Sequence, residues 1–246
     1  MKTILATIFS AICLLCISQA AYAQNSTKPG NFIEISGGIA MPIGNFASSD
    51  FDKNSSGFAQ TGSHFAASGA WYLTSNFGMG GMFSTSSFGV DQTSIAKGYL
   101  EAFDCDSATA SAGNYSSTSF LVGPYFALPL GNLTIEARVL GGITTTSSPA
   151  IIAQAINKPD ATDPISISTF AQSSGTASAF GFDAGLGLRY KLLNHLGISL
   201  RGDFFSSKPN ITLNNYGHQN NTGREISSYN QPISGISATL GIGYLF

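Results

Sequence analysis

The chain has 246 residues and a net charge of −2, and charged residues make up only 10% of it, against about 25% in an ordinary soluble domain. No long run of one sign occurs, so the sequence lacks the electrostatic footprint that nucleic-acid binding requires. With 43% hydrophobic residues, 28 glycines and 18 phenylalanines it is not a disordered chain either.

The chain opens with the features of an export signal. Lys2 supplies a positive start, Ile4 to Ile17 an apolar run, and Ala21-Tyr22-Ala23 a small-x-small cleavage site. This predicts a cleaved signal peptide over residues 1–23 and a mature domain over residues 24–246. The apolar run is shorter than the ~20 residues that a membrane helix needs. Lipid attachment is disfavoured, because Ile12 and Leu15 stand where a small residue would precede Cys13 or Cys16. Cleavage leaves Cys105 alone, so no internal disulfide is expected. Cys105 lies between Asp104 and Asp106, whose charges oppose thiolate formation, and it reads as an incidental loop residue.

Eight segments then alternate large apolar residues with small or polar ones, the two-residue period of a strand. They are Asn31–Met41, Ser63–Leu73, Phe77–Val90, Ser117–Leu130, Leu133–Thr145, Thr176–Lys191, Leu196–Ser206 and Ile233–Phe246. In the third the pattern weakens beyond Ser84, and in the fourth Pro124 predicts a bulge. The last is the most regular. Ile236, Ala238, Leu240, Ile242, Tyr244 and Phe246 share one face, and Gly235, Ser237, Thr239, Gly241 and Gly243 share the other. Each segment is long enough to cross a bilayer, which takes about 9–11 tilted residues.

The connections alternate between three short turns and four long polar stretches of roughly 20–30 residues. The short turns are at Thr74–Asn76, Gly131–Asn132 and Leu192–His195; the long stretches are Pro42–Gly62, Asp91–Tyr115, Ser147–Gly175 and Ser207–Gln231. Within the third long stretch, Pro149–Asn157 reads either as a short helix on the rim or as irregular loop. The fold predicted is all-β: a transmembrane antiparallel up-and-down barrel of eight strands, with short periplasmic turns and four long extracellular loops. Ten strands are the alternative, if the first or second long stretch holds further hairpin residues.

Every charge well inside a strand has the parity of the small face: Glu34, Glu136, Arg138, Asp183, Arg189, Arg201 and Asp203. The large apolar face therefore meets lipid and the charged face fills the lumen. An eight-stranded barrel is just wide enough for side chains to fill, and buried charges must be paired. Arg138 and Arg201 are expected to bridge Asp183, Asp203 and Glu136 near mid-barrel, as a structural filling in preference to a gate. Trp71, Phe77, Tyr190, Tyr244 and Phe246 fall near the short-turn ends, where an interfacial aromatic girdle sits.

The signal peptide, the eight strands, the turn-and-loop rhythm and the terminal Tyr244-Leu245-Phe246 together resemble the small outer-membrane β-barrel superfamily. That group includes the OmpA transmembrane domain, OmpX, OmpW and the opacity-type proteins. The resemblance covers the whole mature chain and implies a place in the cell outer membrane, in contact with outer-membrane lipid. It further implies that the last strand is an assembly signal for the barrel-assembly machinery, carried by Ala238, Leu240, Ile242, Tyr244 and Phe246. OmpW-like members imply a conduit for small apolar molecules, for which Leu140 and Phe205 point inward. Members that modify lipids use Ser and His near the outer rim. Of His64, His195 and His218, only His64 is placed for that, and no sequence partner orients it. An enzyme is therefore not expected, nor a cofactor or metal, since no ligand spacing occurs. Gly185-Leu186-Gly187 lies in a strand and is no phosphate loop. The expectation for function is a structural or surface-interaction barrel. Its loops, rich in Ser, Asn and Gly with scattered Tyr and Phe, suit an extracellular protein or glycan. A narrow porin or apolar conduit is the alternative.

Overall fold

All eight alternating segments form strands, and the eight close on themselves. The computed structural model describes residues 29–53, 55–157, 166–218 and 224–246; the expected signal peptide lies outside them. The barrel strands are β1 (Phe32–Pro42), β2 (Ala59–Tyr72), β3 (Phe77–Val90), β5 (Tyr115–Leu130), β6 (Leu133–Ser148), β9 (Gly175–Leu193), β10 (Leu196–Ser207) and β13 (Ile233–Leu245). Each neighbouring pair is antiparallel, and β1 closes the ring on β13 from Phe32↔Leu245 to Pro42↔Gly235. Because the side-chain period is two, this register carried round the ring assigns faces everywhere but at two irregularities, near Ala59–Gly62 and at Leu196–Gly197. Leu240 and Ile242 point outward, 69% and 59% exposed. Outward apolar side chains on every barrel strand form a continuous belt, far beyond the apolar patch that a soluble monomer exposes.

Pro124 does not create a bulge. Pairing of β5 with β6 is absent at Gly123 and Pro124 and resumes at Tyr125↔Arg138 in the same register. The missing N–H is thus absorbed by two lost rungs, while pairing with β3 at Met79↔Pro124 continues.

The ten-strand alternative fails, because the further strands lie outside the ring. They are β4 (Ser107–Ala112), β7 (Ile151–Asn157), β8 (Ser166–Gln172), β11 (Asn210–His218) and β12 (Arg224–Asn230), paired in the order β12-β11-β8-β7-β4. The β7–β8 hairpin extends β6 and β9 past the rim after a two-residue break at each side. A helix, α1 (Gln92–Ala102), occupies the first half of the second long stretch, ahead of β4, and is capped by Asp91, whose side chain accepts from the Ser94 N–H. The expectation of a helix or irregular loop at Pro149–Asn157 is corrected to a strand. Ile152 and Ile156 sit four apart, as on a helix, but Ala153 and Ala155 alternate with them and are buried under the sheet. Pairing on both edges, to β4 and to β8, outweighs local propensity.

At the long-loop end the first loop turns back into the barrel mouth. Gly44 takes φ +61°, a left-handed conformation that a side chain resists, and starts a 3-10 turn over Gly44–Phe46. Phe46 is fully buried, with the rings of Phe88 and Tyr115 both 5.1 Å away, edge-on. Ala40, Val90, Ile95 and Ile233 complete this plug. It accounts for the weak alternation at the end of β3, where Phe88 and Val90 face inward to meet Phe46 rather than outward.

Candidate functional site

Two places combine polar chemistry with enclosure: the lumen below the plug and a crevice above it. The larger concavity on the outward surface, about 870 Å³ beside Ile35, Phe65, Leu200 and Leu240, belongs to the apolar belt.

In the lumen, all seven strand charges are at most 4% exposed. They divide into two connected groups. In the first, Arg138 Nε lies 3.1 Å from Asp183 Oδ1 and its Nη2 lies 2.9 Å from Asp203 Oδ1. Tyr125 Oη and Met82 Sδ accept from the same guanidinium at 3.4 and 3.1 Å. In the second, Arg189 donates to Glu34 Oε2 at 3.1 Å and to Glu136 Oε1, and Arg201 donates to Glu136 Oε2 at 2.9 Å. Tyr72 donates its hydroxyl to Glu136 at 2.9 Å. Arg138 and Arg201 therefore meet the acids named from sequence, and Arg189 and Glu34 form further bridges that parity alone did not assign.

Glycine makes room for these long side chains. A Cβ at Gly185 would lie 1.7 Å from Asp203 Oδ1, and one at Gly241 would lie 2.9 Å from Glu34 Cδ. Gly185 and Gly241 are thus cradles for ions, in addition to being strand residues. Below the ions the lumen ends in an aromatic layer. Phe32 packs edge-on to Tyr125 at 5.9 Å, and the Arg189 guanidinium lies 3.2 Å over the Phe32 ring. Leu245 and Tyr72 share that layer.

Above the ions, Ser84, Ser86, Ser117, Ser119 and Thr144 surround a space of about 20 Å³, room for about one water. His64 belongs here. It is 5% exposed and its Nδ1 lies 2.8 Å from Ser86 Oγ. The rim position expected for it is corrected: β2 starts at Ala59, so His64 sits five residues into the strand and faces inward. His195 stacks on Tyr244 at 5.4 Å in the short-turn end, and the backbone of His218 ends β11. Leu140 is 1% exposed against Met82 and Leu121, and Phe205 lies 6.0 Å from Phe88 in the plug.

On the outside of the short-turn end, Trp71, Tyr190, Tyr244 and Phe246 are between 45% and 57% exposed. Trp71 meets Phe246 at 5.9 Å, and Phe77 meets Phe126 at 5.5 Å. Ala238, Leu240, Ile242, Tyr244 and Phe246 share this outward face. Among the described residues no group of three His, Cys, Asp or Glu could hold a metal ion.

The crevice above the plug encloses about 610 Å³ between the second sheet, α1 and the loop before β2. Sequence reading missed it, because its walls come from four separate loops that no local period joins. Asp91 at its edge accepts from Ser94 and Ser49, and those hydrogen bonds hold its carboxyl below the usual carboxylate range. Burial pushes the Tyr99 and Tyr229 hydroxyls up.

A family model for the outer membrane protein beta-barrel domain matches residues 9–245. No curated protein sequence matches the chain. Similar solved structures include Ail, the attachment invasion locus protein of Yersinia pestis (14% identity, covering 89% of this chain and 100% of that one, TM-score 0.45). OprG of Pseudomonas aeruginosa is 12% identical over 90% of this chain and 98% of its own, with a TM-score of 0.47. A major outer membrane protein of Thermus thermophilus is 12% identical over 88% and 99%, with a TM-score of 0.46.

Proposed function

The chain belongs to the outer membrane protein β-barrel domain family, and from that premise we propose that its barrel is a non-conducting anchor and its folded outer loops a contact surface. One observation carries this reading: the lumen is filled at three heights while the loops are built into a second sheet. Phe46 fills the mouth, the arginine–carboxylate network fills the middle, and Phe32, Tyr72, Tyr125 and Leu245 fill the other end. A solute path would cross all three. A conduit for small apolar molecules would need Leu140 and Phe205 to line open space, and both are packed. The outer sheet carries Ile152, Ile167 and Ile226 at 52%, 55% and 62% exposure, an apolar set that suits contact with a partner. The outward residues of β13 remain the segment proposed for recognition by the barrel-assembly machinery.

The test is a deletion strain complemented with the full chain or with a chain whose Pro149–Ser174 segment is replaced by a short turn. Adhesion is expected to return only with the full chain, and permeability to small solutes to be equal in both. Restored solute uptake without any effect on adhesion would favour the conduit.

A further inference from the structure

The crevice has the dimensions of a ligand site, since small-molecule pockets enclose about 300–1,000 Å³. The Phe46 plug closes it from below, through Phe58, Val90 and Tyr115, which line its floor. Part of its wall is aromatic. The Tyr99 ring touches both Phe51 and Phe170, with centroids 5.2 and 5.1 Å away. Phe51 reaches Tyr99 because residue 98 is glycine; a Cβ there would lie 2.2 Å from the Phe51 ring. Another part of the lining is polar and uncharged, formed by Gln172, Asn215 and Ser227. The Asn215 amide donates to Ser227 Oγ at 2.9 Å, and its own oxygen is buried with no donor among the described residues. Lys53 is the one charged residue of the described lining, and its Nζ is held 2.7 Å from Asp50 Oδ2.

We propose that this crevice binds a neutral saccharide of one or two sugar rings. The inference rests on reading the outer loops as a contact surface and names the ligand class. A pyranose ring presents C–H groups on its faces and hydroxyls around its edge. The faces match the aromatic wall, and the edge matches amides and hydroxyls that both donate and accept. Gln172, Asn215 and Ser227 supply such groups on the polar side of the crevice. An acidic polysaccharide would require free cations in the site, which a single paired lysine does not supply. An alkyl chain would strip water from Gln172 and Asn215 and return no hydrogen bond to either.

The experiment uses the full mature chain in nanodiscs against an array of neutral, sialylated and sulfated oligosaccharides, followed by calorimetry with the neutral compounds that bind. Neutral saccharides are expected to bind, with affinity changing less than about twofold between roughly 0.05 and 0.5 M salt. Asn215→Ala and Tyr99→Leu are each expected to weaken binding about tenfold, with the barrel's migration on unboiled gels unchanged. Gln172→Ala, outside the Asn215–Ser227 pair and the aromatic wall, keeps the test decisive if either variant disturbs the sheet. A blank array, or binding confined to sulfated compounds and abolished by salt, overturns the proposal. If adhesion in the complemented strain still depends on the Pro149–Ser174 segment, only the saccharide inference falls. If that dependence is absent as well, the contact-surface reading falls with it.

Discussion

At the residue scale the lumen turns on Arg138, which serves two buried carboxylates at once. Removing one partner of a buried ion pair leaves an uncompensated charge, which costs about 3–5 kcal/mol. Arg138→Met is therefore expected to lower the urea midpoint of the refolded protein strongly. The triple replacement of Arg138, Asp183 and Asp203 by apolar residues of similar size should recover most of the loss. A single variant as stable as the parent would show that the two carboxylates need no cation. Parity alone made these residues legible in the sequence, because no charge falls on the large apolar face. Which arginine meets which acid was not legible, because that depends on side-chain reach across the ring. Arg189 illustrates the limit: its partners Glu34 and Glu136 lie 155 and 53 residues away in the chain.

Phe46 is the second decisive residue. Truncating a fully buried phenylalanine costs about 3–5 kcal/mol, so Phe46→Ala is expected to destabilise the mouth of the barrel. Hydrogen exchange should rise at Phe88, Tyr115 and Ile233 and stay unchanged around Phe32 and Tyr125. A uniform rise would mean that the plug and the lower lumen open as one unit. No sequence signal marked Phe46. It lies in a polar stretch with no strand period, and its burial depends on loop geometry at Gly44 and on Gly57 passing beside it.

At the scale of elements, the eight barrel strands were all legible, with ends within four residues, since alternation is enforced by lipid on one side and a packed lumen on the other. The five outer strands were not. They are only 6–9 residues long and wet on one face, so the contrast that betrays a strand is weak. Helix α1 offers a test at this scale. The Asp91 carboxylate caps it through Ser94 N–H at 3.1 Å and Ser94 Oγ at 2.6 Å. These bonds depress its folded pKa, so the stabilisation is fully present above the unfolded value of about 3.9 and is lost as pH falls through the folded value. Protease resistance of the α1 segment is expected to fall below about pH 4 in the parent and to be less pH-dependent in Asp91→Asn. Equal pH profiles would remove Asp91 as the cause. Gly98→Val should also loosen α1 by about 1–3 kcal/mol, by driving the Phe51 ring off Tyr99. Near-ultraviolet circular dichroism of the aromatic cluster is the readout.

At the scale of the whole molecule, two structures share one chain. The ring is held by antiparallel pairing that has no edge, and its apolar belt requires a bilayer. The second sheet stands on the rim, with β4 and β12 as its edges, and encloses the crevice against α1. The plug separates the two, so the ligand chemistry above it and the ion network below it do not communicate through open space. Closure of the lumen is what separates an anchor from a channel, and current across planar bilayers holding the purified, refolded protein measures it directly. No steady open state is expected at either polarity. Large, steady channels from the unaltered chain would contradict a closed lumen.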